Sequence, residues 1–528
     1  MKHKILITGA LHPHALRLLQ SAPDAEIEYH PDAPYARVLE LVPPCHALIT
    51  RSETRVPREL IDRAPHLRVI ARASVGIGSV DVDYATERGI LVINTPGKNT
   101  KSAAELTWAL LLTLARNVIA AHRTMEAGGW DRHRFTGSEL LHKTIGIVGL
   151  GNVGHRVARY ARAFEMEVLA YDPYISDEVF ESHHARKVDL DTLVRQADVV
   201  TVHVPKNRET TGMIGAEQIA RMKEGVLLLN VARGGIIEEK ALLAGLKDGK
   251  VRGAGIDTWD EEPPQANPFR ALPQVVMTPH IGASTLEAQL RIGESVAEQT
   301  LRALRDEVVD FPVNMPRLKV LTNPRVKAYI VLAEKLGTFA MQSLDFNPRT
   351  IQVLFQGELT REDGALIRRA FLKGYLKLTS SDAITYVNAE RKAAERQIQV
   401  SDEEDPGFSE YPSAIKFVVG DGKESFSIAG VSFSEHNVRI SQVNEFKFEV
   451  IPDGNMLSMV NRDQPGVIGR VGTLLGANHI NISQFELSRN MPGGQAMSLI
   501  RVDSPVPKPV LDQLRAISNM VSVRLIEV

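Results

Sequence analysis

The chain has 528 residues, which at roughly 100 to 200 residues per domain predicts three or four domains and excludes a single compact fold. Hydrophobic residues make up 44% and charged residues 24%, and 62 basic against 64 acidic side chains leave a net charge of −2, so disorder, a membrane-embedded fold and bulk attraction to nucleic acid or anionic lipid are all unexpected. The single cysteine, Cys45, excludes an intramolecular disulfide and a multi-cysteine metal site; a reducing compartment, the cytoplasm, small-molecule partners and no metal are expected.

The first apolar run, Lys4 to Thr8, is too short for a secretory signal and reads as a strand. Up to about residue 310, short apolar runs alternate with longer helical patterns: KILIT, HALIT, LRVIA, ILVINTP, TIGIVG, EVLAYDP, VVTVHVP, GVLLLNVA, GAGIDT and QVVMTP. Such alternation predicts doubly wound parallel sheets. Ten strands exceed one mononucleotide-binding unit, so an outer domain is expected over residues 1–96 plus 284–316 and a dinucleotide domain over 97–283, with a helix from Ser284 to Asp306 returning to the outer domain. The longest apolar stretch, Leu106 to Leu114, is flanked by charge and reads as a core helix rather than a membrane span. Beyond Pro312 a helix is predicted from Arg325 to Ser343, then a mixed α+β region with an acidic turn, SDEEDPG, at 401–407; the segment 317–452 is taken as a separate domain without a catalytic constellation. A break at IPDGN opens the last segment, 453–528, whose order of roughly βαββαβ predicts a ferredoxin-like module.

The strand Thr144 to Leu150 leads into Gly149, Gly151 and Gly154 and then into the helical pattern HRVARYARAF. Gly149 suits the tight turn, Gly151 a close approach of backbone to pyrophosphate, and Gly154 close packing of helix on strand. The helix N-terminus adds amide donors and a positive dipole. A lone G-x-G-x-x-G is weak evidence, but a second strand ends in Asp172, 18 residues after Gly154, where a ribose-binding acid is expected. Asp172 would accept from the ribose hydroxyls and repel a 2′-phosphate, and Pro173 and Tyr174 bring no cation to reverse this, so NAD is favoured over NADP. The similar RASVGIGSVD has Asp81 in place of a third glycine; its Gly76 and Gly78 are read as a substrate-side loop.

Three polar residues follow strand ends of the dinucleotide half, where open α/β sheets place their ligands: Arg233, Glu262 and His280. Arginine clamps a carboxylate with two parallel hydrogen bonds, histidine exchanges a hydroxyl proton as hydride leaves, and a carboxylate beside the histidine favours its protonated form. Jointly they describe an alcohol dehydrogenase that needs no metal.

GLGNVG, NVARGGIIEEKALLAGL, GIDTWDEEPP and TPHIGAST resemble the signatures of the D-isomer-specific 2-hydroxyacid dehydrogenases. The resemblance implies Arg233, Glu262 and His280 as the catalytic three. It also implies cofactor contacts from Val75, Asn152, Val153, Asp172, Pro173, Val204, Pro205, Val231, Ala232, Asp257 and Gly282 beside the three glycines. Asn152 stands where arginine is commonest. LITRSETRV and WDRHRFTGSELLHKTIGIVGLG are similar to stretches of the phosphoglycerate-oxidising branch of that family; this implies a phosphorylated substrate held by Arg51, Ser52, Gly76 and Arg132 with Arg233 and His280, Arg132 acting across a subunit interface. Ser74, Gly78 and Ser79 replace the usual glycine, aspartate and asparagine of the substrate loop. ITYVNAERKAAERQI resembles the intervening domain of the long-type members, and NRDQPGVIGRVGTLLGANHINISQFELSR an ACT domain. By that likeness two C-terminal tails meet edge to edge, Asn461, Asp463 and Asn481 bind L-serine, and a homotetramer results. The expected activity is NAD-linked oxidation of 3-phospho-D-glycerate; a glyoxylate or hydroxypyruvate reductase and a NAD-sensing, corepressor-like regulator of the same fold remain alternatives.

Overall fold

Strands that are apolar along their whole length need both faces covered, and the central strands of a parallel sheet supply such sites. The computed structural model describes residues 2–307, 309–315, 324–357, 359, 361–380, 383–405, 407–434 and 437–528. The expected boundary between 316 and 317 lies outside these residues.

The outer sheet comprises β1 (His3–Ile7), β2 (Ala25–Tyr29), β3 (Ala47–Thr50), β4 (Val69–Arg72) and β5 (Leu91–Ile93), all parallel in the order β2-β1-β3-β4-β5. The dinucleotide sheet comprises β6 (Thr144–Val148), β7 (Glu167–Tyr171), β8 (Arg186–Lys187), β9 (Val199–Val202), β10 (Val226–Asn230), β11 (Val251–Ile256) and β12 (Val275–Met277), parallel in the order β12-β11-β10-β9-β6-β7-β8. Both orders reverse at a switch point, as doubly wound sheets do. β6, β9 and β10 are buried at every position. The helix expected from Ser284 to Asp306 runs Leu286–Leu304.

The third sheet holds β13 (Thr350–Gln356), β14 (Gln399–Glu404), β15 (Ala414–Gly420), β16 (Ser425–Ser434), β17 (Asn437–Val443) and β18 (Phe446–Val450), in the order β14-β13-β15-β16-β17-β18 with only β13 and β14 parallel. Helices Pro324–Ser343 and Arg361–Lys377 share its core, so this layer is α+β as predicted. The fourth sheet, β19 (Asn455–Arg462), β20 (Ile482–Arg489), β21 (Gln495–Val502) and β22 (Met520–Glu527), is antiparallel in the order β20-β21-β19-β22, with helices Val467–Ala477 and Lys508–Arg515 completing the ferredoxin-like βαββαβ plan.

Three strands depart from the sequence expectation, and all lie at sheet edges. β2 and β8, both missed, carry AEIEY and RK, whose polar residues stay partly or fully exposed at the sheet edge, so neither shows a continuous apolar run. The acidic turn expected at 401–407 is a strand through Glu404: Ser401 to Glu404 pair with Gln352 to Phe355 at the edge of the third sheet, where carboxylates can face solvent.

By contacts the chain forms two compact units, residues 1–10, 19–94 and 298–528 in the first, 11–18 and 95–297 in the second. Within the first unit the outer sheet, the third sheet and the fourth sheet are stitched together. Arg391 pairs with Glu87 at 3.0 Å, and the Thr385 hydroxyl donates to Gly89 O at 3.0 Å. Gln342 Nε2 donates to Glu527 O at 2.9 Å and its Oε1 accepts from Glu527 N at 3.1 Å. Lys447 N donates to Ser488 Oγ at 3.1 Å, and Gln484 Nε2 to Glu449 O at 3.3 Å. β20 therefore lies against β18 of the same chain. Cys45 is fully buried, its thiol donating to Leu41 O at 3.2 Å and pushed up to about 11 by burial. Among the described residues no single helix is long and apolar enough to cross a membrane; Thr100–Ala115 reaches that length only together with Val118–Glu126, across a 64° bend.

Candidate active site

The glycine loop shows why each glycine is needed. Gly149 turns at φ +91°, and a Cβ there would stand 2.7 Å from Val204 Cγ1 and 2.8 Å from His203 O. A Cβ on Gly154 would fall 2.0 Å from Gly149 O, so only glycine lets the helix Gly154–Ala163 close on β6. Gly151, by contrast, has nothing within 4 Å of its Cβ position: the space beside its backbone is open. Val153 caps the helix without a side-chain bond, leaving the dipole unneutralised by any capping side chain. Asn152 sits with Nδ2 3.7 Å from the Cβ position of Gly97.

Around this loop stand the other expected cofactor residues. Asp172 follows β7; its Oδ2 accepts from Leu150 N at 3.0 Å and its Oδ1 from Tyr174 N at 3.1 Å, which fixes the carboxylate and leaves each oxygen a further lone pair. Pro173 is exposed beside it. Val204 and Pro205 follow β9, where Thr210 Oγ1 donates to Pro205 O at 2.6 Å. Val231 and Ala232 follow β10, with Ala232 N donating to Asn230 Oδ1 at 3.1 Å. An open glycine cradle, a helix N-terminus and an aligned acid together fit a dinucleotide with a free ribose 2′-hydroxyl.

On the same edge of the sheet the trio assembles. His280 Nδ1 lies 2.7 Å from Glu262 Oε2, and Glu262 Oε1 accepts from Trp259 N at 3.1 Å. Arg233 Nη1 donates to Ala232 O at 2.6 Å, and its own carbonyl accepts from Asn230 Nδ2 at 2.9 Å. A Cβ on Gly234 would lie 1.8 Å from Trp259 O, so the loop of Arg233 and the loop of Glu262 touch backbone to backbone. Gly235 follows at φ +80°. The Glu262–Pro263 peptide is cis. Trp259, Glu262, Pro264, Asn267, Arg270 and His280 line a cavity here.

His280 itself has φ +55°, a conformation costing about 1 to 3 kcal/mol in a non-glycine residue. Asp257 holds it there. Its carboxylate, fully buried, accepts from Thr278 Oγ1 at 2.6 Å, Ile281 N at 2.8 Å and Gly282 N at 2.9 Å, and its carbonyl accepts from His280 N at 2.9 Å. Three bonds to the side chain and one to the carbonyl of the same residue hold the loop in this conformation. Asp257 and Gly282 thus act in this structure as the anchor of the His280 loop.

The electrostatics follow the geometry. The hydrogen bond to Glu262 raises the His280 imidazole above its ordinary value, against burial. Burial pushes Glu262 up, but His280 and the Trp259 amide pull it below its ordinary value overall. Burial lowers Arg233, with Glu262 opposing.

The expected substrate residues of the outer sheet are organised by a residue that sequence reading passed over. Arg72, 2% exposed at the end of β4, donates from Nη1 to Arg51 O and to Thr54 O at 3.4 Å, and from Nε to Gly76 O at 3.4 Å. Burial lowers its guanidinium to about 10. Ser74, one of the departures, donates to the same Gly76 carbonyl at 3.1 Å, and Asn94 Nδ2 donates to Val75 O at 2.8 Å. Arg51 Nη1 donates to Ala10 O at 3.0 Å, with Ser52 exposed next to it. Asp81 caps the helix Val82–Glu87 through Tyr84 N at 3.0 Å, a helix-start role in place of a third phosphate-loop glycine. Arg132, in the second unit, is exposed near Trp130. Trp259 was likewise passed over: its Nε1 donates to Thr278 O at 3.2 Å, tying the Glu262 loop to the His280 loop.

In the fourth sheet Asn461 is 5% exposed and donates to Arg462 O at 2.8 Å. Asp463 Oδ2 takes Gly493 N at 3.2 Å and Arg489 Nη1 at 3.4 Å, and Asn481 Nδ2 donates to Asp503 at 2.6 Å. Within one chain each of the three has its own local partner.

Residues 108–282 match the NAD-binding domain of D-isomer-specific 2-hydroxyacid dehydrogenases, 325–444 the D-3-phosphoglycerate dehydrogenase intervening domain, and 455–519 the ACT domain. The chain is 41% identical over 524 residues to the D-3-phosphoglycerate dehydrogenase of Methanocaldococcus jannaschii, covering 99% of both chains, and 38% identical over 528 residues to that of Archaeoglobus fulgidus, covering 99% of this chain and 100% of that one. A crystal structure of a Thermus thermophilus protein superposes on 59% of this chain and 99% of its own, with TM-score 0.55 and 37% identity. Two doubly wound sheets, the glycine cradle and the Arg233, Glu262 and His280 cluster define a NAD-dependent dehydrogenase of D-2-hydroxy acids. With its intervening and ACT domains, the chain belongs to the D-3-phosphoglycerate dehydrogenase family.

Proposed function

We propose that the chain oxidises 3-phospho-D-glycerate to 3-phosphohydroxypyruvate, the opening step of the phosphorylated route to serine. The observation that carries this reading is the 2.7 Å His280–Glu262 dyad, whose loop abuts the Arg233 turn at Gly234, beyond strands of the same sheet that carries the glycine cradle. Arg233 clamps the substrate carboxylate with its paired N–H groups. His280, with Nδ1 committed to Glu262, turns Nε2 to the C2 hydroxyl and takes its proton. Glu262 stays ionised and stabilises the imidazolium that forms. NAD, when bound, accepts the hydride from C2. Gly149, Gly151, Asn152, Val153 and Gly154 cradle its pyrophosphate, Asp172 and Pro173 its ribose, and Val75, Val204, Pro205, Val231 and Ala232 the rest of the pocket, while Asp257 and Gly282 brace the His280 loop. Arg51, Ser52 and Gly76 hold the phosphate end, with Arg132 supplied by a neighbouring subunit of a homotetramer. L-serine binds at Asn461, Asp463 and Asn481, with the partner copy completing the site.

Following NADH formation over a panel of 2-hydroxy acids, with and without L-serine, tests this reading. 3-Phosphoglycerate should exceed lactate and glycerate in kcat/KM by at least about tenfold, the value of one charge-assisted contact, and serine should lower the rate. Equal use of unphosphorylated acids would favour a glyoxylate or hydroxypyruvate reductase, and no turnover of any acid a regulatory protein.

The dyad also sets a pH dependence. Because Glu262 raises His280, oxidation by the neutral imidazole falls off as pH drops through that raised value. Glu262→Gln removes the raising partner, so the acid limb of the kcat/KM profile should move to lower pH while kcat falls. A limb that stays in place would detach Glu262 from the proton relay.

Asp172→Ala should weaken NAD binding and narrow the preference over NADP, since ribose acceptors and phosphate repulsion are lost together. Direct titration with both nucleotides checks this; an unchanged preference would assign ribose recognition to another residue.

A further inference from the structure

The loops on either side of the glycine loop are joined by a contact the proposed catalytic roles leave unused. Tyr174, two residues beyond Asp172, is 78% exposed, yet its hydroxyl donates to Glu209 Oε2 on the loop after β9. β7 and β9 are the two neighbours of β6, whose end carries the glycines, so the contact bridges the flanks of the cradle. Glu209 sits on a well-fixed turn. Asn207 Oδ1 accepts from Glu209 N and Thr210 N, both at 2.9 Å, Asn207 N donates to Thr210 Oγ1 at 2.9 Å, and Thr211 Oγ1 donates to Asn207 O at 2.6 Å. Tyr174 in turn is fixed at its backbone, where its N–H donates to Asp172. Two carboxylates, Asp172 and Glu209, are thereby attached to the two ends of one tyrosine. Of the cations on the turn, Lys206 is directed to Gly235, with Nζ 2.8 Å from the glycine's Cβ position and Asp260 Oδ1 3.1 Å from the same point; Arg208 is exposed.

We propose that Glu209, aligned by Tyr174, is a second determinant of dinucleotide specificity, adding to Asp172 a repulsion against a 2′-phosphate on the adenosine ribose. This rests on the placement of NAD in the cradle. Since Glu209 and Tyr174 are exposed, the repulsion acts through screened water-side charge and must weaken with salt. A purely structural role of the bridge would lack that salt dependence.

The test is equilibrium titration of NADH and NADPH, followed by nucleotide fluorescence, on wild type, Glu209→Gln and Tyr174→Phe at low salt and at about 1 M salt, where the screening length is about 3 Å. Glu209→Gln should lower the ratio of NADPH to NADH dissociation constants about three- to tenfold at low salt, Tyr174→Phe by a smaller factor, and both differences should vanish at high salt. An unchanged ratio in Glu209→Gln, or a salt-independent loss of both nucleotides in parallel, overturns the inference while leaving the cofactor site standing. Failure of wild type to bind either nucleotide overturns the cofactor placement itself.

Discussion

Replacing His280 by alanine should lower turnover by about 10²- to 10⁴-fold, the usual contribution of a positioned general base, while NAD affinity changes little. The expectation follows from where His280 is held. Its ring is committed at Nδ1 to Glu262 and its backbone to Asp257, so the exchangeable proton has one route, through Nε2. Truncation removes that route and leaves the glycine cradle, which lies on other loops, intact. Rate measurement beside nucleotide titration separates the two. Near-normal turnover in His280→Ala would mean that the dyad is structural.

Gly234→Ala should cost at least about 100-fold in kcat/KM, although it alters neither charge nor any side chain of the trio. The added methyl would stand 1.8 Å from Trp259 O, 2.1 Å from Trp259 C and 2.7 Å from Asp260 N, and none of these can swing away as a side-chain tip would. Relief requires the Arg233 turn and the Trp259 to Glu262 segment to separate, which displaces the carboxylate clamp from the proton relay. Thermal unfolding and nucleotide titration of the same variant distinguish displacement from collapse. A variant that folds, binds nucleotide and turns over normally would show that the two loops are not coupled at Gly234.

Much of this site could be read from sequence because the chemistry coincides with backbone constraints. Gly149 and Gly154 are required by contacts of 2.0 to 2.8 Å, and their spacing from Asp172 spans one βαβ unit, so a linear pattern encodes a three-dimensional one. The buried strands β6, β9 and β10 announce themselves as unbroken apolar runs. What escaped detection has a common cause. β2, β8 and β14 are edge strands whose pairing partner, rather than their own apolarity, makes them strands. The role of Arg72, at the end of β4, is not legible because its carbonyl partners at Arg51, Thr54 and Gly76 come from segments that only the fold brings together. Trp259 reads as bulk, yet it works through two N–H groups that only the folded loops bring to Glu262 and Thr278.

The links from Arg391 to Glu87, from Thr385 to Gly89, from Gln342 to Glu527 and between β18 and β20 have a mechanical meaning. Together they make the C-terminal sheet one arm of a lever whose other arm ends at the helix Val82–Glu87, directly after the loop of Gly76. Force applied at the far arm is carried toward the loop of Gly76, the proposed hydroxy-acid side, through these short polar links. A ligand that distorts the C-terminal sheet is thus expected to register first as a changed KM for the hydroxy acid, with the nucleotide dissociation constant as the quantity that stays still.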